Sequence, residues 1–341
     1  MSKKQILGQF YTTNFKYILQ GFDINKIPTN NIIEPFVGKG DLLEILDKDR
    51  YNIEMFDIDP KINKTIKQDT LLNPPNYSNK FIITNPPYLA RNKNKNKKIY
   101  DLYKYNDLYK CFIKSFLNKN CKGGIIIIPL NFLCSIRKND IELRKIFLKE
   151  FTIDRVNIFE EDVFDDTTIS ICSIFFLQKS NEKYIDIYIY PINKNIKVEM
   201  NEDNNYIIGG EIYKLRNDNK YKIGRATKYK KDGITNILLK CIDDNKNNKL
   251  GFKIVDENNF FIDETLNSSA RSYCSITLNL KLSLQQQIKL VNDMNNFLED
   301  YREKYHSLFL TNYRESNTIS RKRISFNLAF KILNYHLQMI I

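Results

Sequence analysis

Short apolar runs separated by amphipathic stretches constrain the fold of the first half of this chain more than any other feature. The runs have the length of buried strands, and the stretches between them have helical periodicity. This alternation predicts an α/β domain of the Rossmann-like type, a doubly wound sheet with helices on both faces. The predicted strands are Asn31–Glu34, Asn52–Asp57, Phe81–Thr84 and Gly124–Pro129, and the predicted helices are Asp41–Lys48, Pro60–Lys67, Asn106–Asn118 and Asn139–Glu150.

The pattern changes after the fourth of these strands. The β-rich runs 152–159, 169–177 and 184–190 predict an antiparallel hairpin that closes the edge of the sheet. Beyond Pro191 the sequence has Asn-rich turns and no βαβ rhythm. We therefore expect two domains, 1–200 and 201–341, because single cores stop growing near ~250–300 residues. The second domain is predicted to be α+β and to end with helices over Leu284–Tyr305 and Ile324–His336.

Charge indicates a polyanionic partner. The formal net charge is +13 and the pI is about 9.2, and cations that neutralise phosphates release condensed counterions. The alternative is that abundant Lys, Asn, Ile and Tyr reflect an AT-rich genome. The six cysteines are scattered, without zinc-site spacing, and are predicted to be reduced thiols without a metal. With no signal-like or membrane-spanning run, we expect a cytoplasmic protein that does not contact membranes.

A glycine turn follows the first strand. Gly38 and Gly40 let the backbone bend and approach a nucleotide-like ligand at a helix terminus. The third glycine of the dinucleotide fingerprint is missing, which disfavours a pyrophosphate cofactor. Asp57 ends the next strand, where a carboxylate can accept both ribose hydroxyls. The alternative for Asp57 is an exposed turn, with Asp59 as the cap of a helix that starts at Pro60.

The segment Asn85-Pro86-Pro87-Tyr88 follows the strand 81–84 directly. Ligands of open α/β sheets bind at the carboxyl ends of strands, so this tetrapeptide is predicted to face the same crevice as the glycine turn. The prolines stiffen the turn, the Asn85 amide and a fixed carbonyl can hold a planar amino group, and Tyr88 offers a flat ring. The alternative is an ordinary tight loop.

These motifs together resemble the adenine-N6 DNA methyltransferases of the gamma type, over about the first 180 residues. Gly8–Thr13 matches the amino-terminal motif, Glu34–Gly40 the cofactor loop and Asn85–Tyr88 the catalytic tetrapeptide. The resemblance implies S-adenosylmethionine as cofactor, with Thr12 at its carboxylate, Asp57 at its ribose and Asp69 at its adenine amino group. It implies that Asp107-Leu108-Tyr109 closes over the cofactor adenine. The implied cofactor-binding residues are Thr12, Glu34, Phe36, Gly38, Gly40, Asp57, Ile58, Asp69, Thr70 and Asn85.

The resemblance also implies a catalytic set around a flipped adenine. Asn85 and the carbonyl of Pro86 would hold the amino group, Pro87 would stiffen the turn, and Tyr88 and a second aromatic would stack on the base. That second aromatic is expected to be Phe176, with Phe175 as the alternative, because a one-residue slip turns a strand side chain to the other face.

Basic clusters are candidate DNA contacts. The Asn/Lys run 92–98 follows the tetrapeptide, where it would clamp phosphates or would simply be a solvated insertion. In the second domain, cations mix with aromatic and hydroxyl side chains, although such runs are often only solvated faces. The candidates are Lys93, Lys95, Arg225, Lys228, Arg271, Arg314, Arg321 and Arg323.

Three other functions are compatible with part of the pattern. Enzymes that methylate a glutamine amide in proteins and some RNA methyltransferases use the same tetrapeptide. A non-catalytic DNA-recognition subunit that binds S-adenosylmethionine has no need of the acceptor pair. We expect a monomeric modification enzyme of a type II restriction-modification system, acting on double-stranded DNA beside a separate restriction endonuclease.

Overall fold

The computed structural model describes residues 12, 14–164, 169–216, 220–243, 249–264, 273–312 and 321–340. Arg271 and Arg314, two of the candidate DNA contacts, lie outside these residues. The chain divides into two compact units, residues 1–200 and residues 201–341.

The first unit is built on a mixed sheet of nine strands in its described residues. Their order across the sheet is β3-β2-β1-β4-β5-β7-β6-β8-β9. The strands are β1 (Asn31–Glu34), β2 (Asn52–Asp57), β3 (Ile66–Lys67), β4 (Phe81–Thr84), β5 (Gly123–Pro129), β6 (Phe151–Phe159), β7 (Ile171–Gln178), β8 (Tyr184–Tyr190) and β9 (Lys194–Glu199).

Strand direction brings the predicted motifs to one edge of this sheet. Strands β1 to β5 pair in parallel, so that Glu34, Asp57 and Thr84 all end strands at the same edge. We call this side of the sheet, where the carboxyl ends of the parallel strands lie, the crevice edge. Strand β7 lies antiparallel between β5 and β6, and the antiparallel pair β8 and β9 forms the outer edge. The predicted runs do pair as strands, but the antiparallel pair β6 and β7 lies inside the sheet, and the hairpin at the edge joins β8 to β9, which was not predicted. The mixed α/β architecture agrees with the expected fold class.

The helices of the first unit differ from the prediction on one side of the sheet. The predicted helix 41–48 is a 3-10 helix over Asp41–Ile45. No helix forms over 60–67, where a turn leads into β3, so that predicted helix is wrong. The α-helices are α1 (Phe15–Ile18), α2 (Lys98–Tyr103), α3 (Leu108–Phe116), α4 (Asn131–Cys134) and α5 (Lys138–Glu150), and two further 3-10 helices cover Ile24–Lys26 and Arg91–Lys93.

Helices α3 and α5 cover part of the sheet with apolar side chains. The α3 helix is amphipathic and buries Phe112 and Phe116, while α5 buries Phe147. Phe116 and Phe147 pack on Phe151 and Phe176 of the sheet at centroid distances of 4.9–6.0 Å, and Phe112 lies 5.2 Å from Phe116. Such aromatic pairs add to the hydrophobic stabilisation of the core.

The second unit combines small sheets with two long helices. A four-stranded sheet has the order β10 (Ile223–Arg225), β13 (Tyr273–Leu278), β11 (Ile234–Lys240), β12 (Gly251–Ile254). Strands β14 (Thr311–Asn312) and β15 (Lys322–Arg323) form a ribbon. The helices are α6 (Leu284–Tyr305), as predicted, and α7 (Phe326–Ile340), which starts and ends later than predicted. Short 3-10 helices cover Glu202–Asn204, Gly210–Lys214 and Glu257–Asn259.

All six cysteines are buried, as expected for core thiols. In the parts of the chain that the structure describes, no helix combines the length and the apolarity needed to cross a bilayer.

Candidate active site

The glycine turn is held in place by the carboxylate of Asp57. Gly38 and Gly40 have φ angles of 55° and 79°, a region that glycine adopts without steric cost. Asp57 Oδ2 accepts a hydrogen bond from the N–H of Gly38 at 2.9 Å, and Oδ1 accepts from the N–H of Asp59 at 2.8 Å. Asp59 caps no helix, because none forms there. Asp57 therefore shapes the turn, and its contact with a ribose stays a prediction.

The residues around the turn fit a nucleoside-bearing cofactor. Ile58 is 43% exposed next to Asp57, so an apolar side chain faces outward at the crevice edge. Asp69 Oδ1 accepts from the N–H groups of Leu71 and Leu72, while Oδ2 makes no hydrogen bond with any described residue. Phe36 is half-buried and packs edge-on against Phe112. An apolar face and an open acceptor are the features that an adenine ring with its amino group needs.

Two other predicted cofactor residues lie beneath the turn. The Thr70 hydroxyl is buried and donates to the carbonyl of Pro35 at 3.1 Å. Glu34 is 1% exposed, and its Oε1 accepts from the N–H of Phe36 at 3.0 Å and from the hydroxyl of Thr84. Glu34 thus joins the end of β1 to the residue before Asn85. These contacts give Glu34 a positioning role, and its contact with the cofactor stays a prediction.

Burial raises the pKa of Glu34 from 4.5 to about 8, although the hydrogen bonds from Thr84 and Phe36 lower it. The unfolded chain releases this proton near pH 4.5, while the folded chain retains it to about pH 8. The contribution of Glu34 to stability is therefore complete below pH 4.5 and declines as pH rises toward 8, by up to ~1.4 kcal/mol per pH unit.

We expect Glu34→Gln to remove this part of the pH dependence, because the amide keeps the shape and has no proton to lose. Urea unfolding at several pH values between 5 and 8 measures it. The wild type should lose stability relative to Glu34→Gln as pH rises, whereas Glu44→Gln, at an exposed ion pair with Lys48, should follow the wild type. Parallel curves for wild type and Glu34→Gln would show that Glu34 is ionised in the folded protein.

Both polar atoms of the Asn85 side-chain amide form hydrogen bonds. Its Nδ2 donates to Thr12 Oγ1 at 2.9 Å, and its Oδ1 accepts from the hydroxyl of Tyr88. Thr12 is buried and belongs to the amino-terminal motif, so the structure joins two segments 73 residues apart in sequence. These bonds fix the orientation of the Asn85 amide at the crevice edge.

Tyr88 is turned inward in this structure, and its stacking on a base stays a prediction. The side chain is 5% exposed, its single hydroxyl hydrogen is shared between Asn85 Oδ1 and the carbonyl of Ile127 at 2.6 Å, and its ring lies edge-on to Tyr109. Burial raises the pKa of Tyr88 well above its ordinary value, so the hydroxyl stays a donor. Tyr88 therefore positions Asn85.

The segment 107–109 packs behind the tetrapeptide rather than over an open site. The N–H of Leu108 donates to the carbonyl of Leu89 at 3.3 Å, and Tyr109 is 2% exposed. Burial raises the pKa of Asp107 to about 6. The contact of this segment with a cofactor ring stays a prediction.

Phe176 lies toward the end of the strands opposite the crevice edge, away from the place of a base-stacking residue. It pairs with Gly124, which also pairs with Ile82, and is therefore level with a residue three positions before Asn85. Its fully buried ring packs on Phe116, Phe147 and Phe151. This placement contradicts the prediction for Phe176. Phe175 is also fully buried, on Phe22 and Phe81.

The sequence analysis missed Phe164. The connection from β6 to β7 reaches β7 at its amino-terminal end, where Ile171 pairs with Pro129 at the crevice edge. Phe164 is the aromatic residue of this connection, and it is 7% exposed. An aromatic just before an antiparallel strand was the available signal, but only strand direction shows which end of β7 faces the crevice.

The residues predicted to contact DNA differ in the solvent exposure of their side chains. Lys93, Lys95 and Lys228 are exposed. Arg225 is ion-paired with Asp263 at 2.9 Å and also lies over the ring of Phe326, and Arg321 donates to the carbonyl of Asp243 at 3.0 Å. Arg323 is half-buried in β15. Arg225 and Arg321 thus serve packing within the second unit in this conformation.

Comparison with known proteins agrees with this site. A family model described as Eco57I restriction-modification methylase matches residues 12–164, the part that contains Thr12, the glycine turn and Asn85. No curated protein matches the sequence.

Solved structures resemble the chain over little more than half of its length. The type I restriction-modification system methyltransferase subunit from Streptococcus thermophilus is 17% identical, with a TM-score of 0.38, over 53% of this chain and 47% of that chain. The type I restriction enzyme EcoKI M protein is 14% identical, with a TM-score of 0.38, over 53% and 48%. The DrdV–DNA complex is 14% identical, with a TM-score of 0.43, over 60% and 31%. The chain spans less than half the length of each. Over residues 12–164, it is thus similar to Eco57I restriction-modification methylases.

Proposed function

We propose that this protein is a DNA methyltransferase that transfers a methyl group from S-adenosylmethionine to N6 of adenine. The observation that carries the proposal is the Asn85 amide, fixed by Thr12 and Tyr88 beside a glycine turn at the same edge of the sheet. The family match over residues 12–164 supports a methyltransferase of restriction-modification type. Residues 1–200 would form its catalytic domain and residues 201–341 its target-recognition domain.

The turn and the two acidic side chains beside it would hold the cofactor. Ile58 and Phe36 would contact the adenine ring, Asp69 Oδ2 would accept from its amino group, and Asp57 would bind the ribose as well as the N–H of Gly38. When bound, S-adenosylmethionine supplies an electrophilic methyl group. Glu34 and Thr70 would keep the turn in shape from below.

Asn85 would prepare the nucleophile. The lone pair of an adenine amino nitrogen is delocalised into the ring, which makes it a poor nucleophile. Hydrogen bonds from its two N–H groups to Asn85 Oδ1 and to the carbonyl of Pro86 favour a tetrahedral nitrogen with a localised lone pair. Pro87 keeps that carbonyl in place, and the buried Tyr88 hydroxyl keeps the amide oriented. As the new N–C bond would form, the methyl–sulfur bond would break and leave a neutral thioether. The amino proton would become acidic only at that point and would pass to solvent, so no strong base is required.

The target adenine must leave the duplex to reach Asn85, at a cost of ~a few kcal/mol. Phe164 is the aromatic best located to stack on it, because the connection from β6 to β7 meets the crevice edge. Stacking of this kind contributes ~1–3 kcal/mol per base. Phe164 takes the place that the sequence analysis gave to Phe176.

A methyl-transfer assay with three acceptors tests the proposal. Labelled S-adenosylmethionine is offered with duplex DNA from a methylation-deficient host, with RNA and with protein, and the modified DNA is digested to nucleosides. The proposal predicts N6-methyladenine in DNA. Label only in RNA or in a protein glutamine would establish the rival enzymes, and cofactor binding without any transfer would establish a recognition subunit. Sequencing the modified adenines would give the target and show whether a restriction endonuclease shares it.

The exposed turn 228–231 is the best-supported DNA contact of the second unit. Tyr229 is 76% exposed, Lys228 lies 5.0 Å from its ring centroid, and Lys231 is also exposed. We expect Lys228→Ala/Lys231→Ala to weaken duplex binding and to lower the slope of log affinity against log salt by ~2, about one per cation.

The control for the turn is Lys281→Ala/Lys289→Ala, which removes two exposed cations elsewhere in the same unit. Fluorescence anisotropy with a labelled mixed-sequence duplex measures both variants. Equal losses of affinity in the two variants would mean that the turn contributes no more to DNA binding than two other exposed cations of the same unit.

A further inference from the structure

A basic pocket lies on the first unit, beyond the residues assigned above. Its volume is about 450 Å³, and its lining includes the cations Arg91, Lys104, Arg137 and Lys138. Tyr100 and Tyr105 supply aromatic walls. The sequence brings these cations from two separate segments, so only the fold assembles them.

The two carboxylates of the pocket are already paired. Asp140 is buried, with Oδ1 2.6 Å from Lys110 Nζ and Oδ2 accepting from Ser135 Oγ at 2.6 Å. Asp101 pairs with Arg91 at 2.7 Å on the surface. Lys104, Arg137 and Lys138 are exposed and form no ion pair within the described ranges. The pocket therefore carries an excess of positive charge.

The start of α5 adds a second attraction for anions. This 13-residue helix begins at Lys138, and no side chain caps its N-terminus in the described part of the chain. The N–H of Asp140 donates to the carbonyl of Arg137 at 2.9 Å, so the N–H groups that face an anion are those of Lys138 and Asn139, which line the pocket at the positive end of the helix dipole. Exposed cations beside a helix start form a site for phosphate oxygens.

The pocket is close to the catalytic tetrapeptide. Arg91 is three residues after Tyr88, so their Cα atoms are at most about 11 Å apart. The N–H of Arg91 donates to the carbonyl of Asn106 at 2.9 Å, and the hydroxyl of Tyr100 donates to the carbonyl of Leu89 at 2.9 Å. The same chain segment thus connects Asn85 to the pocket wall.

We propose that this pocket binds backbone phosphates of the DNA strand that carries the target adenine, within a few nucleotides of it. The inference rests on the proposed function. Strand phosphates follow one another every ~3.4 Å along the helix axis, so a short span from the flipped base reaches the pocket. Arg137 and Lys138 would bind phosphate oxygens directly, and Lys104 would bind from the opposite wall.

The test compares Arg137→Ala/Lys138→Ala with the wild type. Affinity for a labelled mixed-sequence duplex is measured over a series of salt concentrations. We expect weaker binding and a slope of log affinity against log salt lower by ~2. Arg137→Lys should keep the wild-type slope. Binding of S-adenosylmethionine and thermal unfolding should be unchanged in each variant, which excludes misfolding.

The matched control is Lys179→Ala/Lys183→Ala, because both residues are exposed and follow the end of β7 that faces away from the crevice edge. If the wild type methylates DNA but the pocket variant has the same salt slope as the wild type, the pocket does not bind DNA phosphates. The proposed function is then unaffected. An equal fall of the slope in pocket and control variants also overturns the proposed pocket. A wild type that neither binds nor methylates DNA overturns the proposed function itself.

Discussion

Asn85→Ala should abolish methyl transfer while S-adenosylmethionine still binds. The substitution removes the side-chain oxygen proposed to accept from the adenine amino group, together with the bonds to Thr12 and Tyr88. Loss of one fixed hydrogen-bonding group at a developing charge costs ~10²–10³ in kcat. The glycine turn and Asp57 are untouched, so the cofactor Kd should rise far less than kcat falls, although Asn85 and its partner Thr12 are themselves implied cofactor contacts.

Single-turnover transfer to duplex DNA and calorimetric binding of the cofactor measure the two effects separately. Asn85→Asp keeps an oxygen acceptor and should retain more activity than Asn85→Ala. Asn63→Ala, an exposed asparagine of the same unit, is the control and should behave like the wild type. Undiminished turnover by Asn85→Ala would refute the proposed role of the tetrapeptide.

Phe176→Ala should strongly destabilise the first unit. The ring is fully buried, stacks on Phe116 at 5.9 Å and contacts Phe147 and Phe151 edge-on at 4.9 Å. It also lies against Gly124, where a Cβ would come within 2.8 Å of the ring. Removing a phenyl group from such a core costs ~3–5 kcal/mol, because the cavity collapses only in part.

Urea unfolding followed by circular dichroism measures the loss. Phe261→Ala, at a ring that is 39% exposed, should cost much less. Phe164→Ala should weaken transfer to duplex DNA. Wild-type stability of Phe176→Ala, with loss of methyl transfer, would restore the role that the sequence analysis gave to this residue.

The strands were predictable because their signal is local. β1, β2, β4 and β8 have the predicted bounds, since an apolar run of four to seven residues shows its own burial. The segment 60–67 was not predictable in this way, because its apolar spacing fits a turn as well as a helix. In the structure this segment leads into β3, which pairs with β2.

The tetrapeptide lies at the end of β4 as predicted, and the structure turns one of its side chains, that of Tyr88, inward. Its place follows from the strand before it, and Asn85 does lie beside the glycine turn. Tyr88 faces inward, because its hydroxyl finds acceptors in Asn85 and in the carbonyl of Ile127. That carbonyl belongs to β5, 39 residues away, and no local sequence pattern predicts this hydrogen bond.

By itself, the sequence determined the bounds of β1, β2, β4 and β8, the change of pattern near residue 200, and the motifs at the ends of β1, β2 and β4, because these depend on neighbouring residues. The tertiary structure alone decided that Phe164 rather than Phe176 is near the crevice edge, since β7 runs antiparallel between β5 and β6. It also decided that Arg91 and Lys104 share a pocket with Arg137 and Lys138. Strand direction and the meeting of distant segments are set by long-range pairing and packing, which no short stretch of sequence encodes.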